Sequence, residues 1–394
     1  MLWRKKEMIK KLIISISLTT SIFAVDFNTF LNEVIGKNQY LNASLLEVEQ
    51  SFFEGSKLVR YANPKFEIER SRFKPDGFRS DSGYRTSLTQ PIRLWGVGND
   101  RKKLANASIN SAKATYSLTK AQFVRDLSLE YLKYKQNNLM VQLGDKEEKI
   151  AKEIYDISLS RFNGGAISKG RMLQSRVNYK IVHSNKEALK LEGIHIYYNL
   201  LKRAGVTKEI ELDSSYKFTV VTKNSQKVNP KIELAYANAD KSLATVELFD
   251  NKIEWLNVFA EFEKEPNQDI ARFGLNIPLA VFNTRSEEKE VAKLEAKKFL
   301  SLKNLYEKEL NLDTKRLIKE ANVLQKMFVN NEDILKIDLE LLKMFKESYK
   351  IANANLLELL DIQNKVITTK ERLIDITIKL DANAIMQNFY KGVY

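Results

Sequence analysis

Cysteine is absent from the sequence. That excludes disulfides, thiolate metal sites and a lipid-bearing cysteine behind a leader. Histidine is nearly absent: His183 and His195 lie twelve apart on one predicted helix and match no zinc motif. Glycine-dependent catalytic signatures are missing too. There is no nucleophile elbow or phosphate loop, and Gly96-Val97-Gly98 lacks the third glycine and the βαβ context of a dinucleotide fingerprint. An enzyme is not expected, and neither is a cofactor or a metal. Beyond residue 23 no apolar run approaches the roughly 18 residues of a membrane-spanning helix, so any membrane crossing must be made by strands.

Residues 1–24 have the layout of a secretory leader: Arg4, Lys5, Lys6, Lys10 and Lys11, then the apolar run 12–23, then Ala24. The formal charge is +14, and the leader carries five basic and one acidic side chain, so its removal leaves +10. This charge is spread along polar helix faces rather than gathered in a patch, so no nucleic acid is expected as a partner.

Proline is scarce, and its placement reveals the organisation. The six lie at 64, 75, 91, 230, 266 and 278, leaving 92–229 and 279–394 free of proline. Those tracts admit helices of unusual length. One constant offset of 187 residues carries Phe162 to Tyr349, Leu173 to Leu360, Pro91 to Pro278, Trp95 to Phe282, Leu88 to Leu275, Glu67 to Glu254 and Asn42 to Asn229. The chain therefore reads as a tandem duplication: repeat 1 over 25–205, a linker over 206–228, repeat 2 over 229–390, and a tail over 391–394.

In the first repeat a helix is expected over 28–62, stopping before Asn63-Pro64. Two short strands follow at about 65–73 and 82–91, joined through Lys74-Pro75-Asp76-Gly77. Phe66 and Ile68 alternate with Glu67 and Glu69 in the first of them. A helix of about 99–160 carries apolar residues at spacings of three, four and seven, and would be roughly 90 Å long at about 1.5 Å per residue. Gly164-Gly165 reverses the chain into a helix over about 170–203, ending at Gly205. A short strand is expected over 216–221 in the linker. The second repeat starts with Asn229-Pro230 as cap and first helical residue. Its strands are expected at about 253–263 and 270–279, with Trp255, Phe259, Phe262 and Phe273 as a candidate interfacial belt or as ordinary strand packing. Thr284 and Glu287 have capping-box spacing before a helix over about 285–346, and a last helix covers about 355–387. Stacking the two shorter helices of the repeats end to end would complete a four-helix bundle. The fold class is thus mainly α, with a small β contribution arranged twice as helix, two strands, very long helix, helix.

Four strands are too few to close a membrane barrel, whereas three chains would supply twelve. Here the sequence resembles the TolC-like outer-membrane efflux proteins. The segments carrying the likeness are Arg161-Phe162-Asn163-Gly164-Gly165 with Leu173-Gln174, Ser348-Tyr349 with Leu359-Leu360-Asp361-Ile362-Gln363, and the proline-ended strands at Gln90-Pro91 and Ile277-Pro278. The resemblance implies a homotrimer in the cell outer membrane, with a twelve-stranded transmembrane barrel in outer-membrane lipid and an α-helical tunnel extending into the periplasm. It implies an exit duct of a tripartite efflux pump or type I secretion system, opened by a periplasmic adaptor and an inner-membrane transporter.

The resemblance also implies a periplasmic gate. Tyr349 falls on the gate tyrosine, and Glu358 and Asp361 fall on two acidic ring positions. Residues three apart share a helix face, so three copies would set six carboxylates around one axis, an arrangement favouring cations. Read without the family, Glu358 and Asp361 are simply a solvated helix face. The sequence departs from the family pattern at the gate arginine, which is Ala354, at the first-repeat latch aspartate, which is Arg171, and at the second turn glycine, which is Ala352. Arg171 stands 187 residues before Glu358 and is a candidate to pair with Glu358 or Asp361; the competing reading is an exposed arginine without a gating role. The tips at Phe162, Gly164, Gly165 and Ala352 are the candidate adaptor-docking positions, and a plain turn is the alternative for the glycines. For the whole chain the competing class is a periplasmic coiled-coil adaptor or scaffold without a pore.

Overall fold

A computed structural model of the protein describes residues 24–74, 76, 81–221, 228–351 and 354–394. The expected leader, most of the turn after Lys74 and the tip position Ala352 lie outside the described residues. The elements are α1 (Phe27–Lys37), α2 (Gln39–Val59), β1 (Lys65–Phe73), β2 (Asp81–Arg93), α3 (Val97–Asn163), α4 (Lys169–Ala204), α5 (Pro230–Asp250), β3 (Trp255–Glu265), β4 (Gln268–Asn276), α6 (Ser286–Lys350) and α7 (Leu356–Tyr390). With 67 and 65 residues, α3 and α6 are each roughly 100 Å long.

Each helix starts where a side chain can cap it. Asp26 accepts from the amides of Asn28 and Thr29, Ser168 from Arg171, Asn229 from Lys231 and Asn355 from Leu357. Four expectations are corrected. The helix expected over 28–62 is broken at Asn38, whose Oδ1 caps Tyr40 and Leu41 while its Nδ2 donates to the Ala204 carbonyl at 2.9 Å. The Thr284–Glu287 capping box does not form, because α6 begins one residue later, behind Arg285 at φ 58°. No strand forms over 216–221. Its backbone is held instead by side chains, with Lys135 Nζ on the Tyr216 carbonyl at 2.7 Å and Asn388 bonding both Thr219 and Val221 at 2.9 Å. Pro91 sits inside β2, opposite Asn257, rather than at its end.

The four strands form one antiparallel sheet in the order β1-β2-β3-β4, so the two hairpins join through β2 and β3. Successive side chains alternate faces, and the register sorts them by polarity. Phe66, Ile68, Leu88, Val258, Phe273 and Leu275 share one face. Glu67, Glu69, Arg85, Glu261, Glu263 and Arg272 share the other, where Arg85 pairs with Glu69, and Arg272 with Glu261 and Glu263. The expected belt is thereby split: Phe262 and Phe273 are on the apolar face, while Trp255 and Phe259 are on the polar one. Below the sheet, buried Glu254 receives Arg101 Nε at 2.9 Å and pairs with Arg285, tying the starts of α3 and α6 together.

The helices form a curved layer rather than the closed four-helix bundle expected. Along α3, α2 and α4 pack on one flank and α5 and α7 on the other; α6 packs beyond α5 and α7 and makes no substantial contact with α2 or α4. One edge of the layer is therefore α2 with α4, and the other is α6. Both edges carry exposed apolar residues at helical spacing: Leu173, Val177 and Ile181 on α4, and Leu305, Leu312 and Met327 on α6.

At mid-height a core of Phe27, Phe30, Leu127, Tyr131, Leu200 and Leu212, flanked by Tyr216 and Phe218, locks the linker onto α3. Beside it Lys135 Nζ lies 2.6 Å from Asp381, and both residues are buried. This pair joins α3, the linker and α7. Lys135→Met leaves the carboxylate buried without its counter-charge and is expected to destabilise the fold by about 3–5 kcal/mol. The double change Lys135→Met with Asp381→Leu is expected to recover most of that loss, as read by denaturant unfolding of the detergent-extracted protein.

Candidate functional site at the helical tip

The α3–α4 turn is made by Gly164 and Gly165. Gly165 has φ 73°, where a side chain would be strained, and the amides of Gly164, Gly165 and Ala166 close onto the carbonyls of Ser160, Phe162 and Arg161. Both glycines are exposed and Phe162 is half-buried. Next to this turn α6 ends at Lys350, and α7 begins at Leu356 behind the Asn355 cap.

Tyr349 is 1% exposed and lies inside the chain. It packs with Ile154, Leu342, Leu356, Leu359, Ile362 and Val366 in a second core that joins α3 to the α6–α7 hairpin. The Ser158 hydroxyl donates to the Ile154 carbonyl at 2.9 Å, which leaves its oxygen to accept from the Tyr349 hydroxyl at 3.0 Å. Arg161 closes the contact from both sides. Its Nη1 donates to the Tyr349 carbonyl at 2.8 Å, and its guanidinium carbon stands 4.4 Å from the ring centroid. Three residues before Tyr349, Lys346 reaches Glu153 at 2.6 Å. The tip of repeat 2 is thus pinned to α3 by side chains that sequence reasoning did not single out. The available signal was the spacing of Ile154, Ser158 and Arg161, which share one helix face at i, i+4 and i+7.

Glu358 and Asp361 are both exposed on the first turns of α7, opposite the buried Leu359 and Ile362. Asp361 pairs with Lys365 at 2.8 Å, with both side chains more than half exposed, an arrangement worth little. Arg171 is exposed and makes no ion pair with Glu358 or Asp361 within the chain. The reason is positional: α4 and α7 pack on α3 without packing substantially on each other.

Farther from the tip the α3–α7 seam is electrostatically unfavourable. Burial raises the pKa of the Glu147 carboxyl, and the charge of Glu371 adds to the shift. Burial lowers that of the Lys370 ammonium, and Lys146 adds to it. Gln363 is fully buried on the same helix, and neither atom of its amide has a partner. His183 is exposed, with Nδ1 2.6 Å from Glu148 on α3. Among the described residues no group of three His, Cys, Asp or Glu is placed to hold a metal ion.

No protein-family model and no curated protein matches the sequence. Solved structures do match in fold. The outer membrane protein VceC from Vibrio cholerae superposes with a TM-score of 0.77 at 11% identity, over 93% of this chain and 96% of that one. The Campylobacter jejuni CmeC outer membrane channel gives 0.74 at 15% identity, over 92% and 86%. The open state of the Neisseria gonorrhoeae MtrE outer membrane channel gives 0.69 at 12% identity, over 92% and 88%. The chain has the fold of outer-membrane channels.

Removing the guanidinium in Arg161→Ala is expected to loosen the end of α6. A charged hydrogen bond is worth about 1.5–3 kcal/mol, so amide exchange over 342–350 should quicken roughly ten- to a hundredfold if that segment opens locally. Exchange around Tyr131 should stay unchanged. Equal protection of 342–350 in both proteins would show that Arg161 does not hold the tip.

Proposed function

We propose that the chain is one third of an outer-membrane exit duct for efflux or type I secretion. The observation that carries this reading is the pairing of open edges. β1 and β4 each leave one side of their backbone unpaired within the sheet, and the helical layer ends at the same flanks, since α2 leads into β1 and β4 leads into α6. A head-to-tail ring of three copies would bring β4 of each to β1 of the next and α6 to α2 and α4. It would close twelve strands and a tube of helices together.

The polarity of the sheet supports the same reading. Its apolar face is suited to lipid and its Glu- and Arg-bearing face to a water-filled lumen. Among the described residues no helix is long and apolar enough to cross a membrane. A pore-free periplasmic adaptor or scaffold would leave the apolar strand face without an occupant. The duct opens and closes at the tip. Glu358 and Asp361 of three copies form the acidic entrance, Tyr349 pins the α6–α7 hairpin, and Arg171 of one copy pairs with an acidic residue of its neighbour. A periplasmic adaptor engages the turns at Phe162, Gly164, Gly165 and Ala352, and an inner-membrane transporter supplies the cargo.

Planar-bilayer conductance of the purified protein tests this. A small cation-selective conductance is expected, and Glu358→Ala with Asp361→Ala is expected to lose selectivity or gain conductance. Arg171→Glu is expected to leak. Equal conductance and selectivity in wild type and all variants would remove the tip assignment while leaving the duct. Absence of pores would remove the duct.

A further inference from the structure

Two of the most exposed side chains in the protein are aromatic. Trp95 is 97% and Phe282 101% exposed. They occupy corresponding places 187 residues apart, Trp95 between β2 and α3 and Phe282 between β4 and α6, where the strands hand over to the long helices. Leaving this much aromatic surface in water is unfavourable by about 25 cal/mol per Å², and a surface of this kind marks an interaction site.

We infer that Trp95 and Phe282 form an aromatic collar that seats the protein in the headgroup region of the periplasmic leaflet, with phospholipid as the partner. The inference rests on the reading of the sheet as membrane-spanning, and continuity with its apolar face identifies the occupant. Along β4 and beyond it, Phe273, Leu275, Ile277, Leu279 and Val281 follow one another at period two, and all five are exposed. The apolar stripe thus continues past the last paired residue, Asn276, down to Phe282. Immediately after it come Arg285, Glu287, Glu288 and Lys289; after Trp95 come Asp100, Arg101, Lys102 and Lys103. Apolar strand, aromatic ring and charged helix start is the order in which a bilayer passes from hydrocarbon through interface to water.

A neighbouring copy does not account for Trp95. β2 is flanked by β1 and β3, and α3 is central in the helical layer, so Trp95 stands away from both open edges. Trp255 shows the contrast. It is half-buried on the polar face, with the Arg93 guanidinium 4.8 Å from its ring and Tyr61 6.2 Å away.

The sequence holds three tryptophans, Trp3, Trp95 and Trp255, and Trp3 belongs to the leader segment. Leader-free protein carrying Trp255→Phe therefore reports on Trp95 alone, and Trp95→Phe reports on Trp255 alone. Both are reconstituted into phosphatidylcholine vesicles brominated either near the headgroup or near the chain ends. Phe273→Trp in a background lacking Trp95 and Trp255 serves as a reporter of the strand face. Trp95 fluorescence is expected to be lost with bromine near the headgroup and much less with bromine at the chain ends, while Trp255 keeps its intensity in both. Quenching of the Phe273→Trp reporter by lipid, with Trp95 quenched only by aqueous acrylamide or by nothing, would overturn the collar and leave the barrel. Quenching of neither by lipid would overturn the membrane-spanning reading and the collar with it.

Discussion

The structure depends on backbone that one chain cannot satisfy. Strands β1 and β4 each present a row of amides and carbonyls with no partner in the sheet. Water can hydrate such an edge, but hydrocarbon cannot, and each group left unpaired in lipid costs several kcal/mol. An apolar face on the same strands invites the lipid that the open edges forbid. Closure across copies resolves the conflict, and the helices meet the same demand at the same flanks. The exposed stripes of α4 and α6 are the helical counterpart of the strand edges, so one rotation completes both layers.

Within a chain the buried polar contacts are distributed unevenly along the long axis. At the neck, Glu254 gathers Arg101 and Arg285, and at mid-height Lys135 gathers Asp381 and the linker. Both are buried charges with opposite partners, which resist separation because either group alone would be stranded. Toward the tip the α3–α7 seam changes character: Glu147 stands near Glu371, Lys370 near Lys146, and the Gln363 amide is unpartnered. What holds the hairpin there is the contact of Tyr349 with Ser158 and Arg161. A rod that is firm at the neck and middle and joined at the tip by one compact set of bonds is suited to moving the α6–α7 hairpin against α3 as a unit.

The length and order of the elements were legible because proline and glycine punctuate the chain so sparsely. The face polarity of the sheet was legible only in part: Phe66 and Ile68 alternate cleanly with Glu67 and Glu69, but Trp255 and Phe259 read as belt residues until the register placed them on the polar face. The break at Asn38 was not legible, since asparagine within an amphipathic stretch signals a cap only when a tertiary acceptor, here the Ala204 carbonyl, rewards it. The tip was legible in location and not in contacts. Arg161 and Tyr349 lie 188 residues apart, and a hydrogen bond between the ends of two repeats leaves no local pattern beyond the heptad-like spacing of Ile154, Ser158 and Arg161. Trp95 and Phe282 were visible as repeat partners, while their exposure is a property of the folded chain alone.

The most direct measurement is native mass spectrometry of the detergent-extracted protein, because closure requires a definite number of copies. A single species of three chains that survives removal of most detergent is expected. A stable monomer or dimer, with no trimer at any protein concentration, would contradict closure of the open edges by a ring of three.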